Sequence, residues 1–393
     1  MQKYDIAVIG GGASGLACAV GIRQLDKNLT VAVIEKGERA GRKIAASGNG
    51  QGNISNVDLS ATHYHGSGAF LAENLCSSRL YNPLSLFDFL FVSDKLGRIY
   101  PAGKQGSALS DCLLKKAREL GVELILSTEV KGVESGFKLT FSNGGGLLAD
   151  RVVLAAGGSA QKQFGTDGGG YKIAQSLGHT VTPLYPSLVQ LKCDTRHIKT
   201  LKGIRTECAV TAYDGGGNRL GESLGDVIFT DYGVSGNAVF YISSCCAGVG
   251  NVTLSLAFLP EISEEDIRGD IENKLAKGYP QSELLCGTLH NQIGRAVIKR
   301  CNGGTPAEIA RAVKNFTLKV QGSLGFDYAQ VTKGGVDARE VDENLQSRIV
   351  PNLYLVGEVL DVDGDCGGYN LTWALASGMH AAKQIVNSFN SDD

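Results

Sequence analysis

Tyr4-Asp5-Ile6-Ala7-Val8-Ile9-Gly10-Gly11-Gly12-Ala13-Ser14-Gly15 decides the fold. A short apolar run meets three spaced glycines, and Leu16-Ala17-Cys18-Ala19-Val20 then opens a helix. Gly10, Gly12 and Gly15 fit the strand–G-x-G-x-x-G–helix pattern of a dinucleotide site. The first glycine permits the tight turn, the second lets backbone amides approach a pyrophosphate, and the third lets helix and strand pack closely. Free amides and the positive end of the helix dipole then hold the anion. A second apolar run, Val31-Ala32-Val33-Ile34, ends in Glu35, roughly twenty residues past the last glycine. A carboxylate there accepts hydrogen bonds from an adenosine ribose.

Outside that unit, composition narrows the class. A chain of 393 residues allows two or three domains, and 43% hydrophobic content fills large cores. A formal charge of −2 and the absence of any basic run argue against nucleic acid or an anionic membrane as partner. The 53 glycines fall in turns beside apolar strands, as in a nucleotide-binding α/β enzyme. Ten cysteines show no C-x-x-C spacing and read as reduced thiols of a cytoplasmic protein. The strand begins almost at once, with no secretory n-region before it. Ala238 to Pro260 is uncharged and long enough for a membrane span. Its serines, glycines and Asn251 break it, so it reads as a buried helix followed by a strand.

Further along, Ser85 to Leu96 reads as helix. Ser107 to Leu120 reads as an amphipathic helix with Leu109, Leu113, Leu114 and Ala117 on one face and Gly121 as stop. Val122 to Leu126 is a strand; Phe137 to Phe141 and Leu147 to Leu154 are strands around the glycine-rich turn 142–146. Val152-Val153-Leu154-Ala155-Ala156-Gly157-Gly158 runs an apolar strand into glycines, which suits close approach of backbone to a ligand. Residues 188–229 read as short strands with a hairpin turn at 214–218. Residues 261–320 read as helical, from the Ser263 cap to Val313. Leu353-Tyr354-Leu355-Val356 resumes the α/β pattern, and a helix from about Leu371 to Phe389 ends it. The predicted domains are 1–187 with 328–393 for nucleotide binding, a β-rich insertion 188–260 and a helical part 261–327.

Two more segments carry chemistry. Gly41-Arg42-Lys43-Ile44-Ala45-Ala46-Ser47-Gly48-Asn49-Gly50-Gln51-Gly52-Asn53 places two cations before a small-residue loop. That combination neutralises a diphosphate and lets backbone approach a flat ring. In Gly357-Glu358-Val359-Leu360-Asp361-Val362-Asp363-Gly364-Asp365-Cys366-Gly367-Gly368-Tyr369-Asn370-Leu371, a strand ends in Gly-Glu and a glycine pair opens a helix. A helix N-terminus at the N1–C2=O edge of a flavin favours the reduced anion.

On these residues the chain resembles the BaiN-like, aminoacetone-oxidase-like FAD flavoproteins, which are distantly similar to the flavoprotein subunit of fumarate reductase. The resemblance spans nearly the whole chain. It includes Gly97-Arg98-Ile99-Tyr100-Pro101, Gly178-His179-Thr180, Phe229-Thr230-Asp231-Tyr232-Gly233-Val234-Ser235-Gly236 and Thr332-Lys333-Gly334-Gly335-Val336. It implies FAD and an α/β, Rossmann-like FAD-binding domain with an inserted β-barrel-like subdomain and a helical subdomain. It implies that Gly10, Gly12, Ala13, Ser14, Gly15, Glu35, Lys36, Arg42 and Lys43 hold the ADP half. Ser47, Gly48, Asn53, Gly357, Glu358 and Asp361 would lie along the ribityl chain and ring. Gly368, Tyr369, Asn370 and Leu371 would approach the isoalloxazine, and Val130 would meet the adenine through its backbone. Ala156 and Gly157 join this cofactor set. Gln51-Gly52 replace an arginine–cysteine pair of the family, and Asp231 and Asn237 replace a histidine and a proline.

The implied activity is hydride transfer between flavin N5 and a small organic substrate. An NAD(P)H-linked reductase of a conjugated enone is preferred because nothing marks an oxygen site, and with no second convincing G-x-G-x-x-G unit and no C-x-x-x-x-C pair, NAD(P)H would dock only as a transient donor. An oxygen-using aminoketone oxidase and a tRNA-associated or non-catalytic flavoprotein are the alternatives. Arg98 and Tyr100 are the candidate catalytic residues, for a substrate anion or carbonyl. His63 and His65 are close enough for a metal, but no acidic or thiol partner is evident near them, so they read as a surface loop and no metal is expected. His179 reads as a helix cap, Cys366 as packing, and Thr166 to Gly170 as a turn. Oligomeric state is not legible in the sequence.

Overall fold

The computed structural model describes residues 1–78 and 80–392. The chain divides into two compact units, Met1–Tyr185 with Val331–Asp393, and Pro186–Gln330.

The first unit is a Rossmann-like α/β layer. Strands Glu123–Ile125, Val31–Ile34, Gln2–Ile9, Gly146–Leu154 and Leu353–Leu355 lie side by side and parallel. Val31–Ile34, Leu353–Leu355 and the carboxyl halves of Gln2–Ile9 and Gly146–Leu154 are buried on both faces, so there the sequence is a continuous apolar run rather than an alternation. A hairpin of Val130–Glu134 and Lys138–Phe141 adds antiparallel to the start of Gly146–Leu154. Ile9 pairs with both Ile34 and Leu154, and Leu154 with Leu355. This register brings Gly10, Glu35, Ala155 and Val356 to one edge, the carboxyl ends of the strands, where open α/β sheets bind their ligands. The first helix, Ala13–Leu25, and the last, Tyr369–Asp392, cross closely because Gly378 faces Ser14 and Ala17, and Gly21 faces Ala382.

The second unit is a closed barrel. Leu191–Cys193, Gly233–Ser235, Arg219–Phe229, Arg205–Tyr213, Thr253–Ala257 and Phe316–Ser323 follow one another round it, all antiparallel. Alternation sets the inside: Cys208, Val210, Ala212, Leu254 and Leu256 are fully buried. Helices Glu264–Ala276, Asn291–Cys301 and Pro306–Lys314 add Ile267, Ile271, Val297, Ile309 and Val313 to the same core. Ser263 caps the first of these by accepting from Asp266 N at 3.0 Å, and Thr305 with Glu308 closes a capping box on the third.

Two segments differ from their sequence reading. Phe316–Ser323, read as part of the helical stretch, is the strand that closes the barrel. Its buried Phe316 and Leu318 recur every second residue, a strand period hidden behind a strongly helical neighbour. Ser85 to Leu96, read as helix, holds only the 3-10 turn Pro83–Leu86 and the strand Phe91–Ser93. Phe87, Phe89 and Phe91 pack tilted or edge-on with ring centres 5.3–6.1 Å apart, and that alternating aromatic cluster outweighs helix propensity. Asn237–Cys245 followed by Thr253–Ala257 is the helix and strand read from the uncharged stretch. Among the described residues, no helix is long and apolar enough to cross a membrane.

Candidate functional site

The glycine turn is shaped by close backbone contact. Gly10 has φ +109°, and a Cβ on it or on Gly15 would collide with the carbonyl oxygen of Ala155 or of Gly10 itself. Gly12, by contrast, faces open space, and as N-cap it gives the first helix no side-chain cap. The leading amides of that helix are thus left for an anion from outside the chain. Glu35 closes the far side: Oε2 accepts from Gly11 N at 2.9 Å and Oε1 from Gly37 N at 2.7 Å. These bonds fix the carboxylate beside the turn. A cleft of about 480 Å³ continues from here, with Lys36, Arg42 and Lys162 among its lining and Glu129, the neighbour of Val130, on its wall. Open amides, a fixed carboxylate and a cationic cleft fit the ADP half of a dinucleotide.

The other candidate loops are drawn to the same strand ends. Lys43 Nζ pairs with Glu358 Oε2 at 2.8 Å, and Glu358 Oε1 accepts from Thr332 N at 2.9 Å. Ser47 donates to Ile44 O at 2.7 Å and starts the turn containing Gly48. Asn53 donates to Ser55 O at 3.0 Å and Ile99 O at 3.2 Å, which ties the loop to the strand Arg98–Pro101. Gly357 leads from the strand into Glu358, and Ala156 and Gly157 follow Leu154. Gly368 must be glycine: φ is +104°, and a Cβ would strike Ser55 O. It brings Tyr369, Asn370 and Leu371 in as the first turn of the last helix. Lys36 is engaged by Asp167 at 2.7 Å, and Arg42 donates to Gln163 O at 2.6 Å; of the stretch 166–170 read as a turn, Gly169 and Gly170 already open the helix Gly169–Ser176. Asp361 Oδ2 accepts from Ser67 N at 3.0 Å, so its carboxylate also braces a turn.

Arg98 and Tyr100 sit on one strand. Arg98 is held by Asp94 at 2.6 Å, and its guanidinium lies 5.9 Å from the Tyr100 ring centre. Tyr100 is buried, which raises its phenol above the ordinary value. Of the departures, Asp231 is exposed and paired with Lys202 at 2.8 Å, and Gln51 is exposed.

The reading of His63 and His65 as partnerless is corrected by the fold. Strand Tyr64–His65 pairs antiparallel with Asp363–Gly364, which delivers Asp365 between the two imidazoles. Asp365 Oδ2 meets His63 Nδ1 at 2.9 Å, and Oδ1 meets His65 Nε2 at 2.9 Å. His63 also reaches Asp58 at 3.3 Å and stacks on Tyr369 at 4.3 Å. Asn370 clamps the same loop, accepting from Gly364 N at 2.8 Å and donating to Gly364 O at 2.7 Å. Beside this cluster Asp363 is 1% exposed, and among the described residues neither of its carboxylate oxygens has a hydrogen-bond partner. Burial raises its carboxyl to about 6, against the opposing pull of Lys333 and His65. The signal in the sequence was the spacing Asp363-x-Asp365 just before the glycine pair. The missing information was that this loop returns to His63 and His65. No group of three or more metal-ligating side chains is positioned for an ion among the described residues.

His179 is fully enclosed between Glu340 at 3.0 Å and Ser347 at 2.9 Å. This has the outline of a hydrolytic triad, but Ser347 Oγ also accepts from Ile349 N and Val350 N and is buried, so the group braces a turn. Burial pushes the Cys366 thiol up, which suits packing rather than reactivity.

The HI0933-like protein Rossmann domain family matches residues 4–384. The chain belongs to this family. Like other members of this Rossmann FAD-binding family, it is an FAD-dependent oxidoreductase. It is 36% identical to a 3-dehydro-bile acid delta(4,6)-reductase of Clostridium scindens, over 96% of this chain and 98% of the relative. It is 30% identical to a ribosomal RNA dihydrouridine synthase of Escherichia coli, over the whole of both chains. In fold it is similar to a quinol–fumarate reductase of Escherichia coli, with TM-score 0.51, 17% identity, and coverage of 100% of this chain and 72% of that one. It is likewise similar to a 3-ketosteroid delta4-(5alpha)-dehydrogenase of Rhodococcus jostii, with TM-score 0.50, 16% identity, and coverage of 98% and 97%.

Proposed function

We propose that this HI0933-like oxidoreductase saturates a carbon–carbon double bond conjugated to a carbonyl in a small molecule, with NADH or NADPH as electron donor. The observation that carries this reading is the full-length likeness to two relatives whose named activities share one chemistry. A delta(4,6)-reductase of a 3-dehydro-bile acid and a dihydrouridine synthase both remove a C=C bond conjugated to C=O. The near-neutral charge favours the small molecule over RNA.

In this reading Gly10, Gly12, Ala13, Ser14, Gly15, Glu35, Lys36, Arg42 and Lys43 hold the ADP half of FAD, with Val130 at the adenine. Ser47, Gly48, Asn53, Ala156, Gly157, Gly357, Glu358 and Asp361 line the middle, and Gly368 to Leu371 meet the ring. Bound FAD supplies the hydride. The protein supplies the rest: amides at the last helix polarise the ring edge, Arg98 and Tyr100 hold the polar end of the substrate, and an acid delivers the proton. Ten free thiols suit a reducing cytoplasm.

The test is anaerobic. The purified protein is expected to be yellow, to bleach with NADH or NADPH, and to recolour when a 3-oxo-4,6-diene bile acid is added. Bleaching by an aminoketone, but by neither nicotinamide, would overturn the reading in favour of an oxidase. Recolouring by ribosomal RNA, but not by the enone, would move the substrate to RNA.

A further inference from the structure

We infer that His65 is the acid that protonates the substrate, with Asp365 and His63 positioning it. The inference rests on the enone reading above and deepens it. His65 Nε2 is committed to Asp365 Oδ1 at 2.9 Å, so Nδ1 is the nitrogen left to act. The arrangement is that of a carboxylate orienting a working imidazole. Asp365 is itself held twice: by His63 on its second oxygen, and through the Asn370 clamp on its loop. His63 is in turn fixed between Tyr369, on which it stacks, and Asp58. The cluster is thereby docked on the first turn of the last helix, where the proposed flavin ring lies.

Charge sets the protonation state. The groups acting on His65 are Asp365, Asp363 across the strand pair, and Lys333. The Asp365 hydrogen bond leads, burial opposes it, the charges of Asp365 and Asp363 reinforce it against Lys333, and the imidazole is held above the ordinary histidine value. Asp363 is itself raised chiefly by burial, with Asp361 and Asp365 adding to this and Lys333 and His65 opposing it. Asp363, opposite His65 in the strand pair, has no hydrogen-bond donor of its own among the described residues, and when ionised it favours the charged imidazole. The His65 side chain is 36% exposed, enough to meet a substrate and to be recharged by water.

The balance of the step is simple. Hydride adds at the β-carbon, and the C=C electron pair moves into the carbonyl as an enolate. That pair then takes the Nδ1 proton of His65 at the α-carbon. His65 is left neutral, still donating through Nε2 to Asp365, and regains its Nδ1 proton from solvent. The two electrons come from the nicotinamide donor through FAD.

Two measurements test this. Ring-nitrogen NMR titration of the holoprotein is expected to place the His65 midpoint above that of an ordinary histidine, and Asp365→Asn is expected to lower it. A midpoint at or below the ordinary value in the unaltered protein overturns the assignment without any variant. In stopped flow, His65→Gln is expected to bleach with NAD(P)H at the normal rate but to recolour with the bile-acid enone about 100-fold more slowly. Recolouring at the normal rate overturns the assignment. Failure of the unaltered protein to recolour at all would count against the enone reading instead, and the NMR result would still judge the state of His65.

Discussion

The turn Gly10–Gly15 and the loop Asp361–Asn370 lie in the same unit and are built on opposite principles. The first uses backbone only: its contacts are tight, its glycines are forced, and its one carboxylate, Glu35, is doubly satisfied. The second concentrates titratable side chains and leaves one buried carboxylate, Asp363, with neither oxygen satisfied. A region that holds a cofactor is improved by satisfying every group. Perturbed titratable groups gather where protons are moved, because burial and neighbouring charge set their protonation state. The difference fits the roles proposed above, a binding element for the turn and a proton-moving one for the loop.

The comparison breaks most sharply at Gly15. Gly15→Val drives a branched side chain into the Gly10 carbonyl. It is expected to lose flavin colour entirely and to destabilise the fold by about 3 kcal/mol or more, read by absorbance and thermal unfolding. Retention of FAD would show that the turn is not the tight element described.

Asp363→Asn is expected to do the opposite. The native carboxyl is raised by burial to about 6, so it binds its proton more tightly folded than unfolded. Its favourable contribution is whole in acid and is lost as pH rises through about 6. The neutral variant should therefore be more stable than the parent above that pH, by on the order of 2 kcal/mol, with the difference fading below about pH 4. Equal melting temperatures at neutral pH would mean that Asp363 carries no such cost.

Glu35→Gln keeps the shape but weakens the acceptors for Gly11 N and Gly37 N and for the ribose. FAD affinity is expected to fall about tenfold by titration of the apoprotein, the size of a lost charge-assisted bond. The smallest effect on stability belongs to Arg98→Gln. Its ion pair with Asp94 is partly exposed, so unfolding should shift by less than about 1 kcal/mol. A rise in KM for an anionic substrate would sharpen its assignment to the substrate's polar end, and unchanged kinetics would remove it.

Local pattern alone made legible the two strands Gln2–Ile9 and Val31–Ile34, the glycine turn between them and Glu35, because all lie within one βαβ stretch marked by apolar runs and turn residues. Local pattern gave the barrel only as separate strands, and its barrel form came from the family resemblance. Its closing strand Phe316–Ser323 stands after three helices, and pairing with Leu191–Cys193 spans more than a hundred residues that no local period reports. The carboxylate–imidazole cluster lay furthest from reach. His63 and Asp365 are 302 positions apart, and only the pairing of Tyr64–His65 with Asp363–Gly364 brings them within 2.9 Å. Sequence determines chemistry where neighbours along the chain are neighbours in space. Where function needs groups from distant segments, their meeting and the state of their protons are consequences of packing and burial, which only the folded chain possesses.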